Sequence, residues 1–508
     1  MPCRDAPWRV STTVTIILLL AFAARLLNLG GPSLWLDEAM MLARARADWW
    51  TAAVGRVSTD FAPPLYPVLL HAWSSLGVAD AFVRFLSVVF GVLAVAVMSR
   101  LSLCVSAPLR SFPLAALIFA IAPTQVYHAQ QANVYALVAL LSALLFVTAQ
   151  SAARGERWAW PALAILAVAS AYTYYGLAFL FAGMCGWLAA AYLRQSLKVL
   201  RPRRYPRPPM VGVGLAVVGA AVLPLLPIAL QRSAEGAIAW TGSYAVLNDW
   251  AGVRIFGAGL VAEGIVAPLF PYAQVPTWLA LLLTLVFAIG VYRRPAWAIW
   301  GWLVPLGLAY VASGLGVYPF FERHLLFVAP VVYALLAVGL LSLRPVALRG
   351  IAIAALVVVL VAGWPALGLD VAWRAQPPQE ELRPLLETVA PQWLPTDATY
   401  VGYGATAAAA HYQELGLLPA DATMHMGWFA GRVGVQADQA LGSAAGKSRL
   451  WVVMSHMQPG EEEGLAEALT RRGAHLAQRI AAPGAAILLF DLPPPAHNQS
   501  RELSTTAY

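Results

Sequence analysis

The chain has 508 residues, of which 60% are hydrophobic and only 11% charged, with a net charge of +8. Soluble domains carry about a quarter charged residues, so the composition excludes an ordinary soluble protein. The basic residues sit in short loops between apolar runs, as the positive-inside rule requires, and form no patch or stripe suited to nucleic acid.

Apolar runs recur from residue 14 to residue 368, each close to the ~20 residues that cross a hydrocarbon core. They predict a polytopic α-helical membrane protein. The first span, 12–29, enters from the cytoplasm behind Arg4 and Arg9 and runs past Ala21-Phe22-Ala23, so it is expected to stay as a membrane helix. Arg25, near its outer end, is expected to snorkel to the interface. A semi-polar stretch, 30–80, follows. It predicts two interfacial helices, Glu38 to Trp50 and Pro63 to Leu76; three prolines, His71 and Gly77 make the second a poor span.

Further spans are expected at 82–104, 112–126, 134–153, 158–173, 176–193, 210–230, 276–292, 296–317, 323–343 and 350–368, about 11 in all. In this scheme every inner loop is basic, the N-terminus is cytoplasmic and the C-terminus exterior, as in a multi-pass protein of the inner membrane with a periplasmic domain. The expected domains are a transmembrane domain, 1–368, a small exterior α/β domain, 369–495, and a disordered tail, 496–508. Within the exterior domain, Thr399–Tyr403, Leu450–Met454 and Ala486–Phe490 read as strands and Glu461–Arg471 as an amphipathic helix. It contains no cysteine, so no disulfide framework supports it.

The topology collects the unusual polar residues at the outer ends of the spans, which points to an exterior site for a lipid-borne anionic reactant. Asp37-Glu38 follows the first span. These acids read either as a helix N-terminus or as a catalytic pair, one carboxylate taking a proton from an acceptor or binding a divalent cation. Asp60, before Pro63-Pro64-Leu65-Tyr66, is a second carboxylate for the same site, so Asp37 and Asp60 are the candidate metal ligands. His128, Gln130, Gln131, Asn133 and Tyr135 could hydrogen-bond sugar hydroxyls or a phosphate. Arg84 and the Glu322-Arg323-His324 run add cations; an external arginine beside a histidine suits a phosphate. No P-loop or dinucleotide fingerprint appears, so no nucleotide cofactor is expected.

Leu34-Trp35-Leu36-Asp37-Glu38-Ala39, Asp60-Phe61-Ala62-Pro63-Pro64-Leu65-Tyr66, Tyr127 to Leu137, and Arg323-His324-Leu325-Leu326-Phe327-Val328-Ala329-Pro330 together resemble the polytopic C-type glycosyltransferases, nearest to the protein O-mannosyltransferase and lipid A aminoarabinose transferase group. The resemblance covers about residues 12–345. It implies an inverting transfer of a sugar from a polyprenyl-phosphate donor to a lipid, glycan or protein acceptor. Asp37 would be the general base or metal-associated acid, with Glu38 in support, and Arg323 would hold the donor phosphate. Two departures stand out. Gln130-Gln131-Ala132-Asn133 replaces a Gln-Glu-Ala-Arg common in relatives, and Phe61-Ala62 replaces a Glu-Lys. The missing charges leave Arg84, Arg254 or His324 as alternative phosphate ligands. A transporter or flippase of lipid-linked sugars is the rival reading, and the nearly charge-free centres of the spans disfavour it.

Overall fold

Each expected span that the structure describes is built mainly of helix. The computed structural model describes residues 12–54, 63–105, 113–197, 223, 261–271, 273–315, 318–374, 380–424 and 433–493. The expected span 210–230, Asp60, Arg254 and the tail 496–508 lie outside them, apart from residue 223. The chain forms two compact units, one of Met1–Leu29 with Arg44–Pro377 and one of Gly30–Ala43 with Pro378–Tyr508. The division therefore falls at 377/378 and moves a short early segment into the unit of the C-terminal domain.

The helices up to residue 197 are α1 (Thr12–Leu26), α2 (Leu36–Arg46), α3 (Trp49–Val54), α4 (Leu65–Ser74), α5 (Asp80–Val105), α6 (Leu114–Ile121), α7 (Pro123–Ala129), α8 (Tyr135–Ala153), α9 (Ala159–Ala171) and α10 (Leu177–Leu197). Among the described residues four segments are long and apolar enough to cross a membrane: Asp80–Arg100, Tyr135–Ala153, Pro295–Gly314 and Glu322–Leu341. Thr12–Leu26, Ala159–Ala171, Leu177–Leu193, Thr277–Arg293 and Val346–Ala362 are shorter apolar helices. Helix α4 has 10 residues, or roughly 15 Å at ~1.5 Å per residue, half a hydrocarbon core.

Burial separates central from peripheral helices. Ala329–Leu341 and almost all of α8 are buried on every side. Thr277–Arg293 instead exposes Trp278, Leu281 and Leu285, and Val346–Ala362 exposes Ile351 and Val358. Apolar side chains on a helix's outer face are what a lipid-facing helix presents. The central helix packs on Thr277–Arg293 through two glycines. A Cβ on Gly339 would lie 2.0 Å from the Val286 carbonyl oxygen, and one on Gly290 the same distance from that of Leu335. Small residues are needed here because the two backbones touch.

Three expectations change. Arg25 does not snorkel: it is fully buried, and its Nη1 donates to the carbonyls of Ala21 and Ala120, both at 2.9 Å. It thereby satisfies a carbonyl at the end of α6. The expected helix 112–126 breaks at Ala122, which is extended (ψ 124°) because Pro123 follows. The expected helix Glu38 to Trp50 is two helices. Asp48 ends the first by capping α3, its Oδ1 accepting from Trp50 N and Thr51 N at 3.0 Å. Two further spans are locally irregular ahead of prolines. A π-turn at Ile299–Leu303 precedes Pro305, and a 3₁₀ run at Glu322–Val328 precedes Pro330. Each proline lacks an N–H and crowds the carbonyl four residues back.

In the second unit, β1 (Ala398–Val401), β2 (Thr423–Met424), β3 (Arg449–Ser455), β4 (His475–Ala482) and β5 (Ala485–Asp491) form one sheet of order β2-β1-β3-β5-β4. β2, β1 and β3 are parallel; β5 and β4 continue antiparallel. Tyr400, Leu450, Val452, Leu465, Leu469, Leu488 and Phe490 build the core. The chain leaves β1 toward β2 and then returns to β3 on β1's other side. The carboxyl ends of β1 and β3 therefore mark the point where the strand order reverses.

Candidate functional site

In the first unit the break before Pro123, the start of α8, the α9–α10 connection and the 3₁₀ run converge on one aromatic cluster. His128 lies 4.8 Å from the Tyr135 ring, centroid to centroid, and its Nδ1 is 3.2 Å from Gln131 Oε1. The Arg323 guanidinium stands 6.0 Å from the centre of the same Tyr135 ring. Tyr174 hydrogen-bonds His324 Nδ1 at 3.0 Å. Tyr318 donates to the His324 carbonyl at 2.6 Å, and Phe321 meets the imidazole edge-on at 4.6 Å. His128, Gln131, Tyr135, Arg323 and His324, singled out in the sequence, are thus neighbours in one site. One arginine, two imidazoles, several phenols and flat aromatic faces suit an anion bearing a sugar.

Backbone devices set this geometry. Gly176 leaves room for the Tyr318 hydroxyl, which a Cβ there would meet at 2.2 Å. Glu322 has φ +22°, and its N–H is held by a carboxylate oxygen of Glu263. Burial pushes the Glu263 carboxyl up to about 7, and the charge of Glu322 adds to the shift, although the N–H bond opposes it. Glu263 therefore anchors the turn that presents Arg323 and His324.

Other residues singled out in the sequence bond to the backbone. Arg84 is buried and donates to the Leu29 carbonyl at 3.0 Å, three residues beyond α1. Gln130 Nε2 donates to the Leu27 carbonyl at 2.7 Å. Asn133 Oδ1 accepts from Val134 N at 2.7 Å, within its own turn.

In the second unit the structure decides what caps α2. The helix starts at Leu36, so Asp37 and Glu38 both lie in its first turn. The Leu36 N–H is accepted by Glu380 Oε2 at 2.8 Å. Asp37 is not the cap. Glu38 is buried, whereas Asp37 is half-buried. The segment before the helix is bound tightly: Leu34 N donates to Tyr412 Oη at 2.7 Å, Ser33 Oγ to Glu381 at 3.2 Å, and Arg383 Nη2 to the carbonyls of Gly30 and Gly31 at 2.9 and 2.6 Å. Glu380 is itself buried, and its other oxygen is 2.7 Å from His456 Nδ1. That bond raises the His456 pKa against the effect of burial, helped by the charges of Glu380, Asp37 and Glu461.

Glu263, Tyr318, Glu380, Tyr412 and His456 were not assigned roles from the sequence. One signal was legible for His456: Ser455-His456 directly follows the apolar run Leu450–Met454, where a buried parallel strand delivers its carboxyl end. Among the described residues no three His, Cys, Asp or Glu side chains gather as metal ligands.

No protein-family model matches the sequence, and no curated protein matches it. Among solved structures, the chain is similar to ArnT from Cupriavidus metallidurans bound to undecaprenyl phosphate, with 13% identity, 96% of this chain and 98% of that chain covered, and a TM-score of 0.55. It is similar to the apo state of the same protein at 13% identity, 94% and 97% coverage, and a TM-score of 0.51. At this identity the likeness is one of architecture: the chain has the fold of ArnT.

Proposed function

We propose that the protein is an integral membrane glycosyltransferase that takes its sugar from a polyprenyl-phosphate donor. The observation that carries this reading is the whole-length likeness of fold to ArnT, a protein solved with undecaprenyl phosphate bound. The aromatic and cationic cluster around Tyr135, Arg323 and His324 supports it, because its chemistry suits a phosphate-linked sugar. The chain crosses the membrane about 11 times, from a cytoplasmic N-terminus. Its first outer loop carries interfacial helices, and the reaction takes place at the exterior face of the inner membrane.

The reaction is a single inverting displacement. Asp37 removes the proton from an acceptor hydroxyl or amine, with Glu38 in support, and the acceptor atom attacks the anomeric carbon. The bond from that carbon to the phosphate oxygen breaks, and polyprenyl phosphate leaves with the electron pair. Arg323 neutralises the charge developing on the phosphate. Asp37 and Asp60 are the pair for any divalent cation; loss of activity in EDTA and its return with Mg²⁺ or Mn²⁺ would support them.

The test uses purified full-length protein in detergent with synthetic undecaprenyl-phosphate mannose, arabinose and aminoarabinose, and solubilised envelope extract as acceptor. Mass spectrometry is expected to show one sugar transferred and undecaprenyl phosphate released. Absence of transfer from every donor overturns the reading.

A further inference from the structure

The carboxyl ends of β1 and β3 are the switch point of the sheet, the position where α/β domains hold ligands. Here the chain itself reaches it. His456 is the residue after β3, in the left-handed region at φ +50°. A non-glycine residue there is strained and persists only where its surroundings impose it. Next to it, Gly404 has no room for a side chain: a Cβ would lie 2.3 Å from the Ser455 carbonyl oxygen. From this end of the sheet a continuous chain of contacts runs from His456 Nδ1 to Glu380 Oε1, and from Glu380 Oε2 to the first N–H of α2. Tyr412, Glu381 and Arg383 hold residues 30–34 beside it. The next residue along α2 is Asp37, whose charge acts on His456.

We infer that the C-terminal domain is a positioning clamp for the Asp37 segment, with Glu380 and His456 as the positioning residues. Glu380 fixes the α2 N-terminus, and His456, facing Glu380, Asp37 and Glu461, fixes Glu380. Their role in transfer rests on the reading of Asp37 as the base; their role in docking 30–43 does not.

Two measurements on the full-length protein in detergent test this. Hydrogen–deuterium exchange is read over residues 30–43, with β3 and β5 as internal controls. Transfer from the undecaprenyl-phosphate sugar found active above is read as kcat and KM. Glu380→Ala and His456→Asn are expected to speed exchange in 30–43 at least several-fold and leave β3 and β5 unchanged. Asparagine tolerates the left-handed backbone, so the second variant keeps the turn. Both are expected to lower kcat roughly 10- to 100-fold at unchanged KM, the scale of a displaced catalytic group. Glu380→Gln, which keeps an acceptor for Leu36 N, restores most of both. Unchanged exchange in 30–43 overturns the clamp. Faster exchange with undiminished kcat overturns the positioning role. If no donor supports transfer by the wild type, the glycosyltransferase reading fails while the exchange result still decides the clamp.

Discussion

Asp37 is the residue on which the proposed chemistry turns. It lies in the first turn of α2, one residue beyond the N–H that Glu380 accepts, where a carboxylate also favours the helix end. Asp37→Asn is expected to reduce transfer at least about 100-fold, the scale of a lost general base, with unchanged detergent solubility and melting; full activity of the variant sinks the assignment. Gly176→Ala is expected to push Tyr318 off the His324 carbonyl and so to raise KM for the lipid donor more than it lowers kcat. Glu263 offers a pH test. Its carboxyl is raised from 4.5 to about 7, so the folded state holds a proton that the unfolded chain releases. Stability from this group is full below pH 4.5 and is lost as pH rises through about 7. Glu263→Gln is expected to flatten the melting temperature between those values. His456 follows the same sign, losing its contribution as pH rises through its raised pKa. With its side chain 40% exposed, that contribution stays within about 1 kcal/mol.

At the scale of elements, prolines and glycines explain most departures from uniform helices. Pro123 splits α6 from α7 and thereby turns His128 toward Tyr135, while Pro330 ends the 3₁₀ run that carries Arg323 and His324. The contact between Thr277–Arg293 and Ala329–Leu341 depends on Gly290 and Gly339. Gly339→Val is expected to destabilise the protein by about 1–3 kcal/mol through overpacking, read as a lower melting temperature and poorer recovery from membranes. Among the strands, Leu450–Met454 and Ala486–Phe490 were legible because buried strands read as apolar runs. β4 was not: it lies at the sheet edge, most of its side chains exposed, and a bulge between Leu476 and Gln478 interrupts its alternation.

For the whole molecule, the proposed donor site predicts linkage. Undecaprenyl phosphate at 100 times its Kd is expected to stabilise the folded protein by about 2.7 kcal/mol, seen as a concentration-dependent rise in melting temperature. Arg323→Ala is expected to remove most of that rise, and an equal rise in the variant would exclude Arg323 as the phosphate ligand.

Membrane character, the positions of the described helices and the chemistry of Arg323, His324, His128 and Tyr135 were all determined by local sequence. Hydropathy over ~20 residues and charge in short loops are properties of contiguous chain. What only the tertiary structure decided is which distant groups meet. That Arg25 meets the carbonyl of Ala120 and Arg84 that of Leu29 is such a case. The acidic pair after the first span stands out in the sequence. Its anchoring by Glu380, Tyr412 and Arg383, more than 340 residues away in sequence, does not. No local pattern encodes a hydrogen bond whose partners are brought together only by folding.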